Sequence, residues 1–317
     1  MQSIQHIVDE FIEKWITPMI EVSIYKKGIR EYFSAGKIIP WGYYDIASLT
    51  KNVISTILLI DISHWEINEE DDIGKYVLYL QGHKKTIKNV LTHTSWFDII
   101  EKYDKSKAYT RAEIEGIIKN PKNIITTDNH SYSNLNYVYM WDLLEMRYKK
   151  PLQEIVEEFL KKNGMSNILY TPLEKWISEE KIYQTENNRT EWIVHDPVTH
   201  YLWWVSGAAW LFATHENLEK FFYQRYKNTY WIEQKLREEE IKAENTGKEI
   251  YGMIWRKWRY GDDFVEFSWH TGPRVALSRK LDCIIIGTCN IVHGTSAIER
   301  RKLYMEQKKI LLETVMK

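Results

Sequence analysis

Strand-like patterns at both ends of the chain, separated by more than two hundred residues of helical pattern, constrain the fold most. Residues 19–37 (MIEVSIYKKGIREYFSAGK) alternate around a KKG turn, which predicts a β-hairpin. Three more strand candidates occupy residues 250–260, 264–270 and 274–289, the last with a short polar break. Because the face of a sheet must be buried against another layer, we expect both ends to build one antiparallel sheet.

The segments between these strands have the apolar spacing of helices. Three- and four-residue spacings recur in residues 52–65, 111–120, 135–148 and 152–164. The two ends of the chain also show helical patterns, in residues 4–15 and 295–316. The predicted fold class is α+β: an antiparallel sheet flanked by terminal helices, with an inserted, mainly helical subdomain. We expect one domain over residues 1–317, with the sheet subdomain at about 1–47 and 246–317 and the helical subdomain at about 48–245.

Charge and hydropathy exclude two classes of partner. The formal net charge is -1 and the sequence pI is about 6.8, with basic and acidic residues interleaved, so we expect no nucleic-acid partner. The longest apolar stretch, VISTILLIDI, is too short to span a bilayer, so no membrane partner is expected. The first residues carry acids where a signal peptide needs a basic start, which favours a cytosolic location.

The cysteines and histidines do not form a metal motif. Cys283 and Cys289 lie on one face of a predicted strand but far apart along it, so we expect buried, reduced thiols rather than a disulfide. The ten histidines include no HExxH motif and no Cys/His cluster. We therefore expect neither a metal nor a cofactor.

Ser48 and Lys51, in DIASLTKNVI, are the first candidates for chemistry. The Ser-x-x-Lys pattern occurs four times, but only this copy lies where a strand-bearing segment meets a strongly apolar helix. Residues three apart share one helix face, so the amine can reach the hydroxyl. A buried helix also favours the neutral amine, which can accept a proton. The alternative is a helix-start serine that satisfies backbone N–H groups, beside a solvated lysine.

Two further weak motifs follow in order. Tyr132 and Asn134 form a Tyr-x-Asn pair just before another apolar helix, and His270, Thr271 and Gly272 lie on a predicted strand. Each motif has an ordinary explanation: a half-buried ring for Tyr132, a helix cap for Asn134, and a satisfied core histidine for His270, as we expect for His93. Three weak motifs in one order are stronger evidence than any one of them.

Together these segments resemble the serine β-lactamase and penicillin-binding-protein superfamily, particularly the class C β-lactamase-like branch with its esterases and D-amino peptidases. Residues 21–37 resemble that branch's opening hairpin, ASLTK its nucleophile motif and TIKNVLTHTS its Leu-Thr-His-Thr-Ser segment. YSN resembles its Tyr-x-Asn, SGAAWLFATHENLEKF its small-residue stretch with the following helix, and HTG its strand motif. The resemblance covers nearly the whole chain.

The resemblance implies an acyl-enzyme mechanism. Ser48 would attack a carbonyl, while Lys51 and Tyr132 share the general-base task and return the proton to the leaving group. Asn134 would bind the substrate and hold Lys51, and His270, Thr271 and Gly272 would line the site. His rather than Lys at position 270 removes a permanent cation, which favours small esters or D-amino-acid amides and peptides over β-lactams.

Three departures from the family pattern bear on activity. The resemblance implies that one oxyanion donor is the N–H of the residue after the strand glycine, which here is Pro273 and has no N–H. Arg274 is a candidate substitute. Trp96 stands where the family usually has glycine, and the second glycine after the strand motif is missing. The alternatives are therefore a catalytically weak member that binds a ligand or partner, or an acyltransferase.

The chain contains fourteen tryptophans, including the adjacent Trp203 and Trp204. They are compatible with an aromatic pocket for apolar acyl groups, although core packing is the more common role of tryptophan.

Overall fold

The computed structural model describes residues 3–98, 110–123, 130–171, 173–183, 206–246, 256–257, 265–268, 272–291 and 297–317. Its strands are β1 (Met19–Lys26), β2 (Ile29–Gly36), β3 (Tyr43–Asp45), β4 (Phe97–Asp98), β5 (Lys122–Asn123), β6 (Ile168–Leu169), β7 (Phe212–Thr214), β8 (Arg256–Lys257), β9 (Val265–Ser268), β10 (Arg274–Ser278) and β11 (Cys283–Cys289). Its helices are α1 (Ile4–Glu13), α2 (Thr50–Ser63), α3 (Ile87–Leu91), α4 (Arg111–Lys119), α5 (Leu135–Tyr148), α6 (Leu152–Lys162), α7 (His215–Lys227), α8 (Gln234–Thr246) and α9 (Ala297–Met316).

The main sheet joins the two ends of the chain. Its six strands lie in the order β2-β1-β11-β10-β9-β8, and every neighbouring pair is antiparallel. Strand β1 pairs with β2 through the predicted KKG turn and, on its other edge, with β11 from the far end of the sequence. The predicted α+β class with one antiparallel sheet is confirmed, while the subdomain boundaries stay a prediction.

The two faces of this sheet pack against different helices. Terminal helices α1 and α9 cover one face through an apolar cluster that includes Phe11, Ile285 and Leu312. Val275, Ile284 and the rest of the opposite face belong to a larger cluster that continues through the central helices. The period-2 alternation of β10 and β11 produces this arrangement, because consecutive side chains point to opposite faces.

A second sheet has three strands, in the order β3-β7-β6. The sequence patterns did not predict it. Strand β3 pairs Tyr43 with Thr214 of β7, which fixes the segment before α2 against the segment before α7.

Both cysteines are free and buried, which confirms the prediction. Burial raises the pKa of the Cys283 thiol to about 12. No helix in the described part of the chain combines the length and apolarity needed to cross a bilayer.

Candidate active site at the start of helix α2

Ser48 lies in a tight turn that leads into α2. Residues Ala47–Leu49 form a single turn of 3₁₀ helix directly before Thr50. Ala47 has a left-handed backbone with φ of 45°, and its N–H donates to Oδ1 of Asp45 over 2.7 Å. Left-handed alanine is rare, so this turn stores strain of the kind that clusters at functional sites.

Three predicted catalytic residues meet at the Ser48 hydroxyl. Nζ of Lys51 lies 3.0 Å from Oγ of Ser48, one helical turn away, and the hydroxyl of Tyr132 lies 2.9 Å from the same Oγ. Ser48 and Lys51 are fully buried, and Tyr132 is half-buried. Nζ of Lys51 also lies 5.2 Å from the centroid of the Tyr132 ring. A hydroxyl in contact with both an amine and a phenol has two routes for its proton.

Two of the other Ser-x-x-Lys copies have lysine amines that contact backbone carbonyls instead of the serine. Nζ of Lys26 donates to the carbonyl oxygen of Val315, while Ser23 contacts Glu219. Nζ of Lys181 donates to the carbonyl oxygen of Pro40. The strand that carries Ser23 sends residues three apart to opposite faces, so the spacing supports chemistry only on a helix.

The segment before β7 anchors Lys51, and sequence reasoning missed this. Nζ of Lys51 donates to the carbonyl oxygen of Ala208 over 2.6 Å. A Cβ on Gly207 would lie 2.2 Å from the carbonyl oxygen of Tyr137, so only glycine allows the segment to approach α5 this closely. The N–H of Leu211 donates to Oγ1 of Thr50 over 3.2 Å, which ties the segment to α2.

Asn134 occupies the N-cap position of α5 without capping it. Its side chain makes no cap hydrogen bond, and the N–H of Leu135 instead donates to Oγ of Ser133 over 3.2 Å. The structure therefore removes the helix-cap alternative for the Asn134 amide. Its contact with substrate stays a prediction.

His93 is fully buried beside this group, as expected for a core histidine. Its Nδ1 accepts the Ser133 N–H over 3.1 Å, so the hydrogen of the neutral ring is on Nε2. Burial lowers the pKa of His93 well below its ordinary value of 6.5, and the charges of Lys51 and His130 lower it further. His93 therefore stays neutral near pH 7.

Of the predicted strand motif His270-Thr271-Gly272, the structure describes only Gly272. His270 and Thr271 lie outside the described residues, as do Trp203 and Trp204. Gly272 has φ of 120°, and a Cβ there would lie 2.4 Å from the carbonyl oxygen of Cys289, so glycine is required. Pro273 follows it and is buried.

The Arg274 side chain does not lie where a substitute for the missing oxyanion donor was expected. Its guanidinium carbon lies 4.3 Å from the centroid of the Tyr304 ring and 6.0 Å from that of Phe11. Both rings belong to the terminal helices, on the face of the sheet opposite Val275 and the central helices. The side chain therefore does not face the Ser48 side of the sheet, because β10 alternates its side chains and Arg274 shares a face with Ala276.

No three His, Cys, Asp or Glu side chains within the described ranges gather in a way that could hold a metal ion. The groups in contact at Ser48 are its own hydroxyl, the Lys51 amine and the Tyr132 phenol.

The antiparallel sheet, the central helices and the serine at the start of α2 define the class of serine β-lactamase and penicillin-binding-protein folds. The chain belongs to the Beta-lactamase family, whose family model matches residues 8–303.

Solved structures with this fold have low sequence identity to the chain. The octameric penicillin-binding protein homologue from Pyrococcus abyssi has a TM-score of 0.71 at 16% identity, over 91% of this chain and 73% of that one. The D-amino acid amidase from Ochrobactrum anthropi SV3, complexed with L-phenylalanine amide, has a TM-score of 0.69 at 14% identity, over 96% and 97% of the two chains. These likenesses establish the fold.

A curated relative matches over part of its length. The protein named "Putative D-alanyl-D-alanine carboxypeptidase" of Escherichia coli (strain K12) is 26% identical over 175 residues, which is 49% of this chain and 40% of the relative. The chain thus matches less than half of that protein.

Proposed function

We propose that the protein is a serine hydrolase that acts through an acyl-enzyme on Ser48. The observation that carries this proposal is the position of the Ser48 hydroxyl within hydrogen-bond distance of both Lys51 and Tyr132. Nucleophilic serine needs an adjacent proton acceptor, and both neighbours can serve as one. The family match supports the same class of reaction.

The first half of the reaction forms the acyl-enzyme. The Ser48 hydroxyl loses its proton to the Lys51–Tyr132 pair as Oγ forms a bond to the substrate carbonyl carbon. The tetrahedral intermediate then collapses, the bond to the leaving group breaks, and the pair returns the proton to the leaving oxygen or nitrogen. In the second half, water gives a proton to the same pair as its oxygen forms a bond to the acyl carbon. The bond between that carbon and Oγ of Ser48 then breaks, the acid leaves, and the pair returns the proton to Oγ.

Asn134, His270, Thr271 and Gly272 are proposed to bind the substrate. A histidine at position 270, unlike a lysine, is not a permanent cation, so it provides no permanent partner for a β-lactam carboxylate. Small esters and D-amino-acid amides or peptides are therefore the proposed substrates, with weak or no β-lactamase activity. The structural likeness to a D-amino acid amidase supports this choice.

One observation favours a second candidate function. Pro273 has no N–H at the position where the family resemblance implies an oxyanion donor. Loss of one such donor lowers turnover by about 10²- to 10³-fold in a protease. A catalytically weak member that binds a ligand or partner at the same site is therefore the alternative. An acyltransferase, in which an alcohol or amine replaces water, is a variant of the first proposal.

Covalent labelling tests the proposal directly. Intact-protein mass is measured after exposure to a fluorophosphonate, a penicillin and an activated ester, for wild type, Ser48→Ala and Ser178→Ala. Ser178 is the matched control because it is exposed and also precedes a lysine by three residues. We expect a stoichiometric adduct that maps to Ser48 and is lost only in Ser48→Ala. A folded wild type that takes no label from any reagent would support the binding alternative.

A further inference from the structure

His93 contacts the residues on both sides of Tyr132. The N–H of Ser131 donates to the carbonyl oxygen of His93 over 2.9 Å, and the N–H of Ser133 donates to its Nδ1 over 3.1 Å. The imidazole and the Tyr132 ring lie 4.6 Å apart between centroids, with 30° between their planes. His93 thus contacts the backbone before Tyr132, its ring, and the backbone after it.

The imidazole is itself held in place. Nδ2 of Asn136 donates to Nδ1 of His93 over 2.9 Å, and Oδ1 of Asn136 accepts the Ser95 hydroxyl over 2.7 Å. His93 has φ of 54°, a left-handed conformation in which histidine and asparagine are enriched among non-glycine residues. Its backbone geometry and its ring orientation are therefore both determined by the fold.

We propose that His93 is the positioning residue that holds the Tyr132 hydroxyl against Ser48. This inference rests on the proposed function, because it concerns the tyrosine that would carry the proton. His93 acts through Tyr132 and exchanges no proton itself, since its Nδ1 is occupied by two donors. A displacement of about 1 Å at a reacting group can lower turnover about 100-fold.

Matched substitutions separate positioning from packing. His93→Asn retains an acceptor near the position of Nδ1 and tolerates the left-handed backbone, whereas His93→Gln moves the acceptor to the position of Nε2 and His93→Leu removes it. We expect kcat to fall about 10- to 100-fold in the Leu and Gln variants with little change in KM, and to stay within about threefold of wild type in the Asn variant. If His93→Leu does not fold, the kcat values of His93→Asn and His93→Gln still distinguish positioning from packing.

A double-mutant cycle and hydrogen exchange complete the test. In a Tyr132→Phe background, we expect His93→Leu to lower kcat by less than about threefold, because both changes remove the same function. Fully additive losses would overturn the positioning role while leaving the hydrolase proposal intact.

Hydrogen exchange at the Ser133 amide tests the positioning role even without activity. If wild type takes no label, the hydrolase proposal fails separately, and this exchange rate still shows whether His93 holds the backbone beside Tyr132. We expect exchange at least about tenfold faster in the Leu variant than in the Asn variant, and equal protection would overturn the proposal.

A second observation concerns tryptophan. Of the eight tryptophans in the described ranges, seven have left-handed backbones with φ between 53° and 105°: Trp15, Trp41, Trp65, Trp96, Trp176, Trp210 and Trp231. A positive φ is an outlier for so bulky a residue. Five of the seven expose between 64% and 95% of their surface, so their burial does not offset the strain.

Two of these positions belong to a helix-ending motif that glycine normally fills. After α1, the N–H of Trp15 donates to the carbonyl oxygen of Ile12, and the N–H of Ile16 donates to the carbonyl oxygen of Phe11. The same two bonds occur at the end of α2, where Trp65 takes the place of Trp15. After α6, Gly164 makes the same pair of bonds with φ of 74°. This is the Schellman motif, whose left-handed residue is usually glycine. The chain has 14 glycines, where average usage predicts about 22.

We infer that these seven positions are glycine positions of the fold, encoded by UGA codons that the producing cell reads as glycine. UGA is read as tryptophan in several variants of the genetic code and as glycine in another. A single codon therefore accounts for tryptophan in the sequence at all seven positions where the cell would insert glycine. Glycine at position 96 would match the residue that the family resemblance implies there. Glycine at position 210 would leave no indole two residues after Ala208, whose carbonyl oxygen accepts from Lys51.

Codons, peptide masses and stability test this inference. All seven codons should be UGA, and peptides of the protein isolated from its own cells should have glycine masses at these positions. UGG codons or tryptophan masses would overturn it.

In recombinant protein, glycine at position 15 or 65 should give a folding equilibrium constant about 5- to 30-fold larger than alanine there, since alanine keeps the strained Cβ. At the exposed control His64, with φ of -94°, alanine should equal or exceed glycine. The absence of a glycine advantage at 15 and 65 would contradict the structural argument.

Discussion

Nζ of Lys51 lies 3.0 Å from Oγ of Ser48, and neither side chain is exposed to solvent. The same amine donates a hydrogen bond to the carbonyl oxygen of Ala208 over 2.6 Å. The amine is therefore preorganised next to the proposed nucleophile before any substrate binds.

Removal of this amine should abolish most of the chemistry while preserving the fold. Methionine fills a similar volume without a proton acceptor, so Lys51→Met should lower the rate of Ser48 acylation by about 10²- to 10⁴-fold. The rate of fluorophosphonate labelling, followed by intact mass, measures the effect. Lys181→Met is the control, because its amine contacts Pro40 on the surface, and it should label like wild type. Equal labelling rates for both variants would exclude Lys51 as the base.

Pro273→Gly tests whether a missing oxyanion donor limits the proposed hydrolase activity. The substitution restores a backbone N–H, so we expect esterase turnover to rise, by up to about 10²- to 10³-fold if that donor alone is missing. The measurement is kcat with an activated ester. Pro273→Ala also restores the N–H, while giving less backbone freedom than glycine, and should share the gain. An unchanged kcat in both variants would mean that another group completes the oxyanion site.

Local patterns predicted much of this molecule. Helix α5 spans the predicted residues 135–148, and the hairpin forms around the KKG turn, because side-chain periodicity reflects contacts close in sequence. The Ser48–Lys51 contact was predictable for the same reason, since helical geometry alone brings the two residues together. Tyr132 required the family resemblance, because nothing local places it beside Ser48.

Long-range features had no local signal. Strands β3, β6 and β7 have two or three residues each and exist only through pairing across the chain, as between Tyr43 and Thr214. The Ala208 acceptor is a backbone carbonyl, and every residue has one. The face on which Arg274 lies depends on the register of β10 in the sheet, which its own sequence does not specify.

A pair of glycines should respond in opposite directions to alanine. A Cβ at Gly207 would lie 2.2 Å from the Tyr137 carbonyl oxygen, so Gly207→Ala must displace the segment that anchors Lys51. We expect a loss of more than about 1 kcal/mol of unfolding free energy, together with reduced labelling of Ser48. At Gly116, inside α4, a Cβ meets nothing within 4 Å, and alanine should stabilise by about 0.5–1 kcal/mol. Urea unfolding measures both, and destabilisation of similar size at the two sites would contradict the close approach at Gly207.

Acid should destabilise the protein through its buried histidines. Burial lowers the pKa of His93 well below 6.5, with Lys51 and His130 adding repulsion, and burial also lowers the pKa of His215. In the unfolded chain both histidines protonate near pH 6.5, so below that pH the unfolded state binds more protons and stability falls. The carboxyls of Asp61 and Asp142 act in the opposite sense, because burial raises their pKa values.

The contribution of His93 can be isolated by difference. We expect the unfolding free energies of wild type and His93→Asn to converge as pH falls from 7 to 5, because only wild type carries this proton-linked penalty. The difference should change by up to about 1.4 kcal/mol per pH unit below pH 6.5. Urea unfolding at several pH values measures it, with exposed His64→Asn as the control. Parallel curves for wild type and His93→Asn would mean that His93 is protonated equally in both states, contrary to its burial and to the donors at Nδ1.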